Sequence, residues 1–363
     1  MRKLATIRKI HTIEAIPGAD LIEIAKVDGW QCVVKKSEFK IGDLGVYFEI
    51  DSFLPVRPEF EFLRKSSYKK IEGYGEGFRL KTIRLRGTLS QGLLMPLASV
   101  TDPTMKYSDL QHALGQNTNI EGTDVTDWLG VRLWDPPLNA AQLSGNAKGY
   151  FPSFVRKTDA ERVQNLIKDI QDIYFDQLFE VTMKLDGSSM TVYCKDGKVG
   201  VCSRNYELKD DGNTYWEVAK ASLLDKGSIS YWNKEKRNLA FQGELMGPGI
   251  QGNQEKFFDH RFYLFRIWDI DNQRYLPYLE YIQVLNKLRL EHGLLSLRSV
   301  PYMGLMKPTE IRSPETNLLE SFLRFADGPS INTEVLREGV VWKHIDTDFS
   351  FKVISNKWLL NEK

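Results

Sequence analysis

Residues that build metal centres and disulfide frameworks are scarce in this chain of 363 residues. Its three cysteines and five histidines form neither a metal-ligand spacing nor an HExxH pair. We therefore predict no zinc site and no disulfide scaffold. Cys32, Cys194 and Cys202 lie in strand-like patterns, and we expect them to be reduced thiols in the protein core.

Long apolar runs and a strong net charge are also missing. No stretch approaches the ~20 apolar residues that span a bilayer, and no signal-peptide core follows the first residues. We expect a soluble intracellular protein, located in the cytoplasm and without a membrane partner. The formal net charge of +1 excludes a strongly basic coat, although local patches can still bind phosphate.

The pattern along the chain predicts two domains. Residues 1–130 contain about five short alternating segments separated by turn residues, which is typical of an all-β barrel such as an OB-fold. One segment, 78–86, is predicted as a single strand with a bulge near Thr82, where the alternation slips by one residue.

Residues 131–157 contain Asp-Pro-Pro and Ser-Gly-Asn turns and are predicted to be a linker. Residues 158–363 mix apolar strand patterns with helical ones, which predicts an α+β domain. At its start, Thr158 and Glu161 form a capping box that predicts a helix beginning there.

The most informative segment is Lys184-Leu185-Asp186-Gly187, which follows an apolar run that predicts a buried strand. A lysine at this point is a candidate covalent nucleophile. Its amine attacks only when neutral, so its pKa must be lowered by burial, by a neighbouring cation or by a metal ion. A surface lysine before a β-turn has the same pattern, so the segment alone does not decide.

Later segments supply the other groups that phosphoryl transfer needs. A hairpin brings Arg204 next to the lysine, where its guanidinium can contact ribose or phosphate. Glu244 lies in an apolar strand, and a buried acid is costly unless it is paired or bound to metal. Glu338, Lys343 and Lys352 place one carboxylate and two cations in apolar surroundings, as expected around a metal ion and a phosphate.

Together, six segments in this order resemble the motifs of the covalent nucleotidyltransferase superfamily, which contains polynucleotide ligases and mRNA capping enzymes. They are Lys184-Leu185-Asp186-Gly187, Ser203-Arg204-Asn205, Glu244, Trp268-Asp269-Ile270, Glu338-Gly339 and Lys352. Three further stretches, 16–20, 48–55 and 157–165, resemble the fifth family of ATP-dependent RNA ligases, in which an OB domain precedes the transferase domain. The resemblance covers essentially the whole chain.

The resemblance implies an N-terminal OB domain and a C-terminal, ATP-grasp-like ligase adenylylation domain. Enzymes of this family react with ATP to form lysyl-AMP, transfer AMP to a 5′-phosphate end, and seal the strand by attack of a 3′-OH. They join nicks with RNA on the 3′-OH side. The implied cofactors are ATP and Mg²⁺, for which Mn²⁺ can substitute, and the implied partner is a nicked duplex. We expect the enzyme to be a monomer.

Residue roles follow from the same resemblance. Lys184 is the adenylated nucleophile, and Lys352 binds the α-phosphate with help from Lys343. The metal ion is held mainly through water by Asp186, Glu244 and Glu338. The other implied nucleotide contacts come from Asp186, Gly187, Arg204, Glu244, Glu338 and one of the two rings of Phe265 and Trp268.

The chain departs from the family pattern at two positions. The aromatic residue that stacks on adenine is usually Phe, whereas Trp268 occupies the aligned position and Phe265 is its rival. A second lysine usually follows two residues after the α-phosphate lysine, whereas this chain has Ile354 there. Lys343 is therefore a candidate substitute for the missing cation.

The predicted role of the OB domain rests on Lys81, Arg84 and Arg86, which alternate with apolar residues. This pattern indicates either a face that binds nucleic acid or a solvated strand face. Two other functions also fit parts of the chain. A capping guanylyltransferase uses the same lysine chemistry with GTP, but its OB domain follows the transferase domain. A decayed nucleic-acid-binding protein would have lost motif acids and lysines, and here all of them are present except the lysine that Ile354 replaces.

Overall fold

The computed structural model describes residues 2–100, 120–135 and 146–361. The chain divides into two compact units, Met1–Ala140 and Ala141–Lys363. No helix in the described ranges is long and apolar enough to cross a membrane. All three cysteines are buried free thiols, as the sequence predicts.

The first unit consists mainly of short antiparallel strands. In chain order they are β1 (Ala5–Lys9), β2 (Thr12–Ala15), β3 (Ile22–Val27), β4 (Trp30–Lys35), β5 (Leu44–Phe48), β6 (Ser52–Leu54), β7 (Tyr68–Ile71), β8 (Gly75–Arg79), β9 (Thr82–Leu85), β10 (Thr88–Gln91), β11 (Leu93–Pro96) and β12 (Arg132–Leu133). Short helical segments cover Pro58–Leu63, Arg64–Ser67 (α1) and Leu97–Val100 (α2).

These strands form small sheets of two to four strands each. β5 lies between β1 and β11, and β3 lies between β2 and β4. The turn from β3 to β4 passes through Asp28, whose φ of 47° is in the left-handed region that Asp tolerates at an Asp-Gly turn. Ile7, Phe48 and Phe78 are fully buried in the core.

Residues 78–86 do not form the single bulged strand that their alternation predicts. β8 ends at Arg79 and pairs with β6 and β7, whereas β9 begins at Thr82 and pairs with β10. The slip in alternation at Thr82 therefore marks the point where the chain leaves one sheet and enters a separate hairpin. Leu80 fixes this exit, because its N–H donates to the Ser52 carbonyl at 2.9 Å.

The second unit contains two sheets flanked by helices. Its strands are β13 (Ala147–Tyr150), β14 (Glu161–Arg162), β15 (Phe179–Lys184), β16 (Ser188–Lys195), β17 (Lys198–Cys202), β18 (Tyr206–Leu208), β19 (Leu239–Met246), β20 (Arg261–Asp269), β21 (Arg274–Tyr275), β22 (Arg298–Ser299), β23 (Tyr302–Met306), β24 (Gly339–His344) and β25 (Ser350–Ile354). Its helices are α3 (Val163–Asp172), α4 (Thr214–Ala221), α5 (Leu224–Glu235), α6 (Tyr278–Glu291), α7 (Pro308–Ile311), α8 (Leu318–Ala326) and α9 (Asn356–Asn361).

The larger sheet has the strand order β13-β18-β17-β16-β19-β20-β21, with β22 beside β20, and the smaller has the order β14-β25-β24-β15-β23. Helices α4, α5 and α6 pack on the larger sheet, and α3 and α8 pack on the smaller one. Phe179 and Val181 of β15 are buried against α3 and α8, and each contributes roughly 1.5–3 kcal/mol by burial. Strand alternation then turns Glu180, Thr182 and Lys184 to the opposite face.

The helix predicted to begin at the Thr158–Glu161 capping box begins later, at Val163. Glu161 and Arg162 instead pair in parallel with Phe351 and Lys352 of β25. Sheet pairing outweighs the local capping signal here, and the cap residue of α3 is Arg162, without a side-chain cap hydrogen bond.

The segment 131–157, predicted as a linker, contributes a short strand to each unit. β12 pairs with β6 in the first unit. β13 pairs with β18 and extends the larger sheet of the second unit.

Candidate active site

A cavity of about 340 Å³ lies between the two sheets of the second unit, within the size range of small-molecule sites. Its walls come from β15, β24 and β25 of the smaller sheet, from β19 and β20 of the larger sheet, and from residues 156–160. The cavity brings together nine of the residues predicted from the sequence: Lys184, Asp186, Gly187, Arg204, Glu244, Phe265, Glu338, Lys343 and Lys352.

Strand register orders the side chains of the smaller sheet in three rows. From β15 through β24 to β25, these rows are Lys184–Gly339–Ile354, Thr182–Val341–Lys352 and Glu180–Lys343–Ser350. The glycine beside the lysine is required by close packing, because a Cβ at Gly339 would lie 2.1 Å from the Val353 carbonyl oxygen. Lys352 therefore lies one row from Lys184, and Lys343 lies two rows away.

Carboxylates, rather than cations, surround the Lys184 amine. Its Nζ lies 2.6 Å from Glu338 Oε2 in an ion pair. Burial lowers the pKa of Lys184, but the charges of Glu338, Glu244 and Asp186 outweigh burial and hold this pKa above its ordinary value. In this arrangement the lysine is protonated at neutral pH. Nucleophilic attack needs the neutral amine, for which the sequence predicts a lowered pKa. The ion pair must therefore break before the amine can attack.

Glu244 lies on β19 beside the turn that follows the lysine. Its Oε1 accepts a hydrogen bond from the Gly187 N–H at 3.1 Å. Burial raises the pKa of Glu244 to about 8, with Lys184 opposing the rise and the charges of Glu338 and Asp186 adding to it. The site therefore concentrates negative charge that a bound cation would neutralise.

Asp186, Glu244 and Glu338 suit a divalent cation that keeps part of its water shell. Within residues 2–100, 120–135 and 146–361, no three Asp, Glu, His or Cys side chains converge closely enough to hold an ion directly. Mg²⁺ loses water reluctantly and is often bound through one or two carboxylates. The donor set thus fits a hydrated ion better than a fully protein-bound one.

A β-bulge in β20 shapes the inner wall of the cavity. Gln242 of β19 pairs with Arg266, and Gly243 pairs with Leu264, so Phe265 is the extra residue. The bulge turns the consecutive side chains Phe265 and Arg266 into the same cavity. Val341 lines the cavity from the other sheet.

Trp268, the other predicted stacking residue, lies outside the cavity lining. Its side chain is buried against Tyr275, with ring centroids 5.0 Å apart. Its indole N–H donates to the Phe154 carbonyl at 3.1 Å. These contacts give Trp268 a packing role that occupies both its ring and its polar edge.

The two predicted phosphate lysines differ in their surroundings. Lys352 Nζ lies 3.0 Å from Asp159 at the cavity edge. Lys343 is buried, lies 2.7 Å from Glu180, and donates to the Phe265 carbonyl at 2.9 Å. Burial lowers the pKa of Lys343, and Glu180 opposes this. Lys343 is therefore held in the cavity wall by its contacts with the Phe265 carbonyl and Glu180.

The three predicted nucleic-acid contacts of the first unit lie at one hairpin. Arg84 is on β9, Lys81 directly precedes this strand, and Arg86 lies in the turn to β10. Arg84 and Arg86 are exposed. The neighbouring Ile83 is 46% exposed, so the hairpin presents both apolar and basic groups to solvent.

Two family models match the chain in the predicted order. An OB-fold domain model matches residues 4–97, and an RNA ligase model matches residues 177–354. Among solved structures, a point variant of Naegleria gruberi RNA ligase with AMP and Mn is 44% identical. The match covers 99% of this chain and 98% of that one, with a TM-score of 0.85. The chain belongs to the RNA ligase family.

Further structures of the Naegleria gruberi RNA ligase agree. A variant with ATP and Mn is 44% identical over 98% of both chains, with a TM-score of 0.84. The structure with PPi is 45% identical over 99% of this chain and 98% of that one, with a TM-score of 0.84. No curated protein matched the chain. The predicted family, enzyme class and two-domain fold class of the ligase are thereby confirmed.

Two cavity residues of the ligase, Arg266 and Asp159, were missed at the sequence level, as was Glu180, the ion-pair partner of the cavity residue Lys343. Glu180 was detectable, since it shares its strand face with Lys184 through simple alternation. Arg266 was hidden because the bulge at Phe265 breaks that alternation. Asp159 was assigned to a helix start, whereas it lies at the cavity edge beside Lys352.

Proposed function

We propose that this ligase uses ATP and a divalent cation to seal nicks in a duplex whose 3′-OH strand is RNA. The observation that carries the proposal is the position of Lys184. It ends β15 inside a nucleotide-sized cavity, with Glu338, Glu244 and Lys352 around it. The Naegleria gruberi structures with ATP and Mn, with AMP and Mn, and with PPi support the same substrate, cofactor and product.

In the first step, Lys184 Nζ forms a bond to the α-phosphorus of ATP, and the bond from this phosphorus to the pyrophosphate oxygen breaks. The amine must first leave its ion pair with Glu338 and lose a proton. Asp186, Glu244 and Glu338 would hold the hydrated cation, which supplies positive charge at the phosphate oxygens. Lys352, one row from the nucleophile, would stabilise the charge that develops on the α-phosphate.

Of the two candidate rings, we assign adenine stacking to Phe265, which lines the cavity, whereas Trp268 does not. Phe265 lines the cavity from one sheet and Val341 lines it from the other, and the base would bind between them. Lys343 would support this wall through the Phe265 carbonyl and Glu180, rather than contacting the α-phosphate. Arg204 and Gly187 would complete the contacts to the nucleotide.

In the later steps, AMP passes to the 5′-phosphate end, and the 3′-OH then displaces AMP to form the phosphodiester bond.

The hairpin of Lys81, Arg84 and Arg86 would bind the phosphate backbone of the duplex, and the enzyme would act as a monomer. Because neither AMP transfer nor attack by the 3′-OH needs a second active site, one chain would suffice.

Matched nicks that differ in one strand test this proposal. The 3′-OH strand is made of RNA or DNA, with the remaining strands unchanged, and each nick is incubated with enzyme, ATP and Mg²⁺ or Mn²⁺. We expect rapid sealing only with RNA at the 3′-OH side. Equal sealing of the two nicks would contradict the substrate proposal, and labelling of the enzyme by GTP but not ATP would contradict the nucleotide proposal.

A further inference from the structure

Strand β13 carries an exposed aromatic ring at the edge of the larger sheet. Tyr150 is 85% exposed although it lies in a paired strand. Its ring stacks on that of Tyr206 in β18, with centroids 5.9 Å apart and an angle of 26° between the planes. We name Tyr150 and Tyr206 the tyrosine pair. The pair holds an aromatic surface in a fixed orientation while leaving most of Tyr150 to solvent.

Short contacts join the tyrosine pair to the nucleotide cavity. Tyr206 follows Arg204 by two residues, so their Cα atoms are at most about 7 Å apart. The Phe151 N–H donates to the Asn205 carbonyl at 2.9 Å, and Lys157 Nζ donates to Asn205 Oδ1 at 2.8 Å. Arg204 and Lys157 both line the cavity. The aromatic surface and the active site are therefore parts of one connected edge.

We propose that the tyrosine pair stacks on a nucleobase of the RNA substrate near the end being joined. Aromatic side chains next to cations commonly stack on bases that are not paired, and at a nick the base that can leave the duplex in this way is a terminal one. Lys157 and Arg204 lie on the cavity side of the pair, where they would meet the phosphates of the same strand. This inference rests on the RNA ligase activity and adds a substrate contact outside the ATP cavity.

The surroundings of Tyr150 favour a base over a protein partner. A protein interface needs a contiguous apolar patch. Here the neighbouring surface residues are polar, since Lys148 and Glu207 form an ion pair at 2.7 Å. One ring flanked by charges suits one base and its phosphate. Because Arg204 lines the cavity and Tyr206 follows it by two residues, the proposed base belongs to the terminal part of the strand being joined.

Three substitutions at one position test the inference in the full-length enzyme. Tyr150→Phe keeps the ring, Tyr150→Leu keeps an apolar side chain without a π face, and Tyr150→Ala removes both. Lysyl-AMP formation from ATP without RNA serves as the control for folding and for the first step. Sealing of a nick that already carries the AMP-capped 5′ end is then measured at limiting and at saturating substrate.

We expect all three variants to form lysyl-AMP like the wild type. Tyr150→Phe should also seal like the wild type, whereas Leu and Ala should raise the KM for the nick about 5- to 100-fold. Abasic sites are placed one at a time at the terminal nucleotides beside the nick, and at least one of them should weaken sealing by the wild type and have no further effect in Tyr150→Ala.

Three outcomes would overturn the inference: wild-type sealing by Tyr150→Leu, an equal loss in Tyr150→Phe and Tyr150→Ala, or no effect of abasic sites on the wild type. Wild-type sealing by all the purified variants would likewise overturn it. If the wild type itself formed no lysyl-AMP with ATP, the proposed function would be wrong, and the two failures are thereby distinguished.

Discussion

Lys184 Nζ lies 2.6 Å from Glu338 Oε2, so the proposed nucleophile and a proposed metal-positioning carboxylate are partners in an ion pair. This pair keeps the amine protonated, because the negative charges of Glu338, Glu244 and Asp186 outweigh burial. A cation bound at the carboxylates would weaken the attraction and free the amine. The arrangement links activation of the nucleophile to occupancy of the nucleotide and metal site.

Removal of the Glu338 charge should make the Lys184 amine more reactive toward a small amine-directed reagent at pH 8. The pKa of Lys184 should fall in Glu338→Gln, and the neutral fraction should rise about tenfold for each unit of that fall. Peptide mass spectrometry of the labelling rate measures this without catalysis, and Lys198, on the exposed hairpin, is the internal control. Equal labelling of Lys184 in wild type and variant would show that the ion pair does not control the amine.

Glu244 should make the stability of the ligase depend on pH. Its pKa in the folded protein is about 8, above the ordinary value of 4.5, so the folded state binds this proton more tightly than the unfolded state. The contribution of this group is therefore favourable at low pH and is lost as the pH rises from about 4.5 to about 8. Glu244→Gln should melt at a higher temperature than wild type at pH 8.5, by about 2–4 °C per kcal/mol recovered.

The difference in melting temperature between Glu244→Gln and the wild type should shrink as the pH falls to 5. Adding Mn²⁺ and ATP should stabilise the wild type more at pH 8.5 than at pH 6, because the cation binds the ionised carboxylates. A difference that stays constant across this range would mean that Glu244 does not titrate there.

Phe265 and Trp268 should separate into a binding residue and a packing residue. Phe265→Ala should raise the KM for ATP in lysyl-AMP formation by about 5- to 100-fold, since it removes a stacked ring, with little change in melting temperature. Trp268→Phe should lower the melting temperature and leave the KM for ATP unchanged, since it removes the hydrogen bond to Phe154. The reverse result would assign adenine stacking to Trp268.

Substitution of Ile354 tests what the second lysine, usual at this position in the family, would do to the nucleophile. It shares a row with Lys184 across Gly339, so Ile354→Lys would place a positive charge beside the nucleophile. A like charge lowers the pKa of a lysine. The pH at which lysyl-AMP formation is half-maximal should therefore fall relative to the size-matched control Ile354→Met.

Lys343→Met should leave the pH at which lysyl-AMP formation is half-maximal unchanged, unlike Ile354→Lys. Residues 339 and 343 are four positions apart on β24, which places Lys343 roughly 13 Å along the strand from the row of Ile354. If Lys343→Met raised the half-maximal pH, as removal of a nearby positive charge would, Lys343 would be acting as the substitute cation after all.

The hairpin of the first unit should bind nucleic acid through charge. Replacement of Lys81, Arg84 and Arg86 by alanine should weaken binding of a nicked duplex and reduce the slope of log K against log salt by about 0.9 for each lost phosphate contact. Lysyl-AMP formation should be unaffected, because these residues lie outside the unit that holds the cavity. An unchanged salt slope would leave this hairpin as an ordinary solvated surface.

Much of the active site was predictable because simple strand alternation places it. The buried pair Phe179 and Val181 defines one face of β15, so the opposite face must present Glu180 and Lys184. The position of Phe265 was not predictable in the same way. A bulge shifts the alternation within β20, and a bulge depends on pairing with β19 that no local pattern encodes.

Errors also arose where long-range pairing outweighed a local signal. Thr158 and Glu161 match a capping box, yet Glu161 pairs with Phe351, almost two hundred residues later in the chain. The strand predicted over 78–86 failed similarly, because its two parts join different sheets. Local sequence carries no information about such partners, so the boundaries were less predictable than the existence of the elements.

The proposed covalent mechanism is tested most directly by locating the nucleotide on the enzyme. Purified ligase is incubated with α-labelled ATP or GTP and a divalent cation, without RNA, and the labelled peptide is identified by mass spectrometry. We expect AMP from ATP on Lys184, release of pyrophosphate, and no label in Lys184→Ala. Label on another residue, label in Lys184→Ala, or label from GTP alone would contradict it.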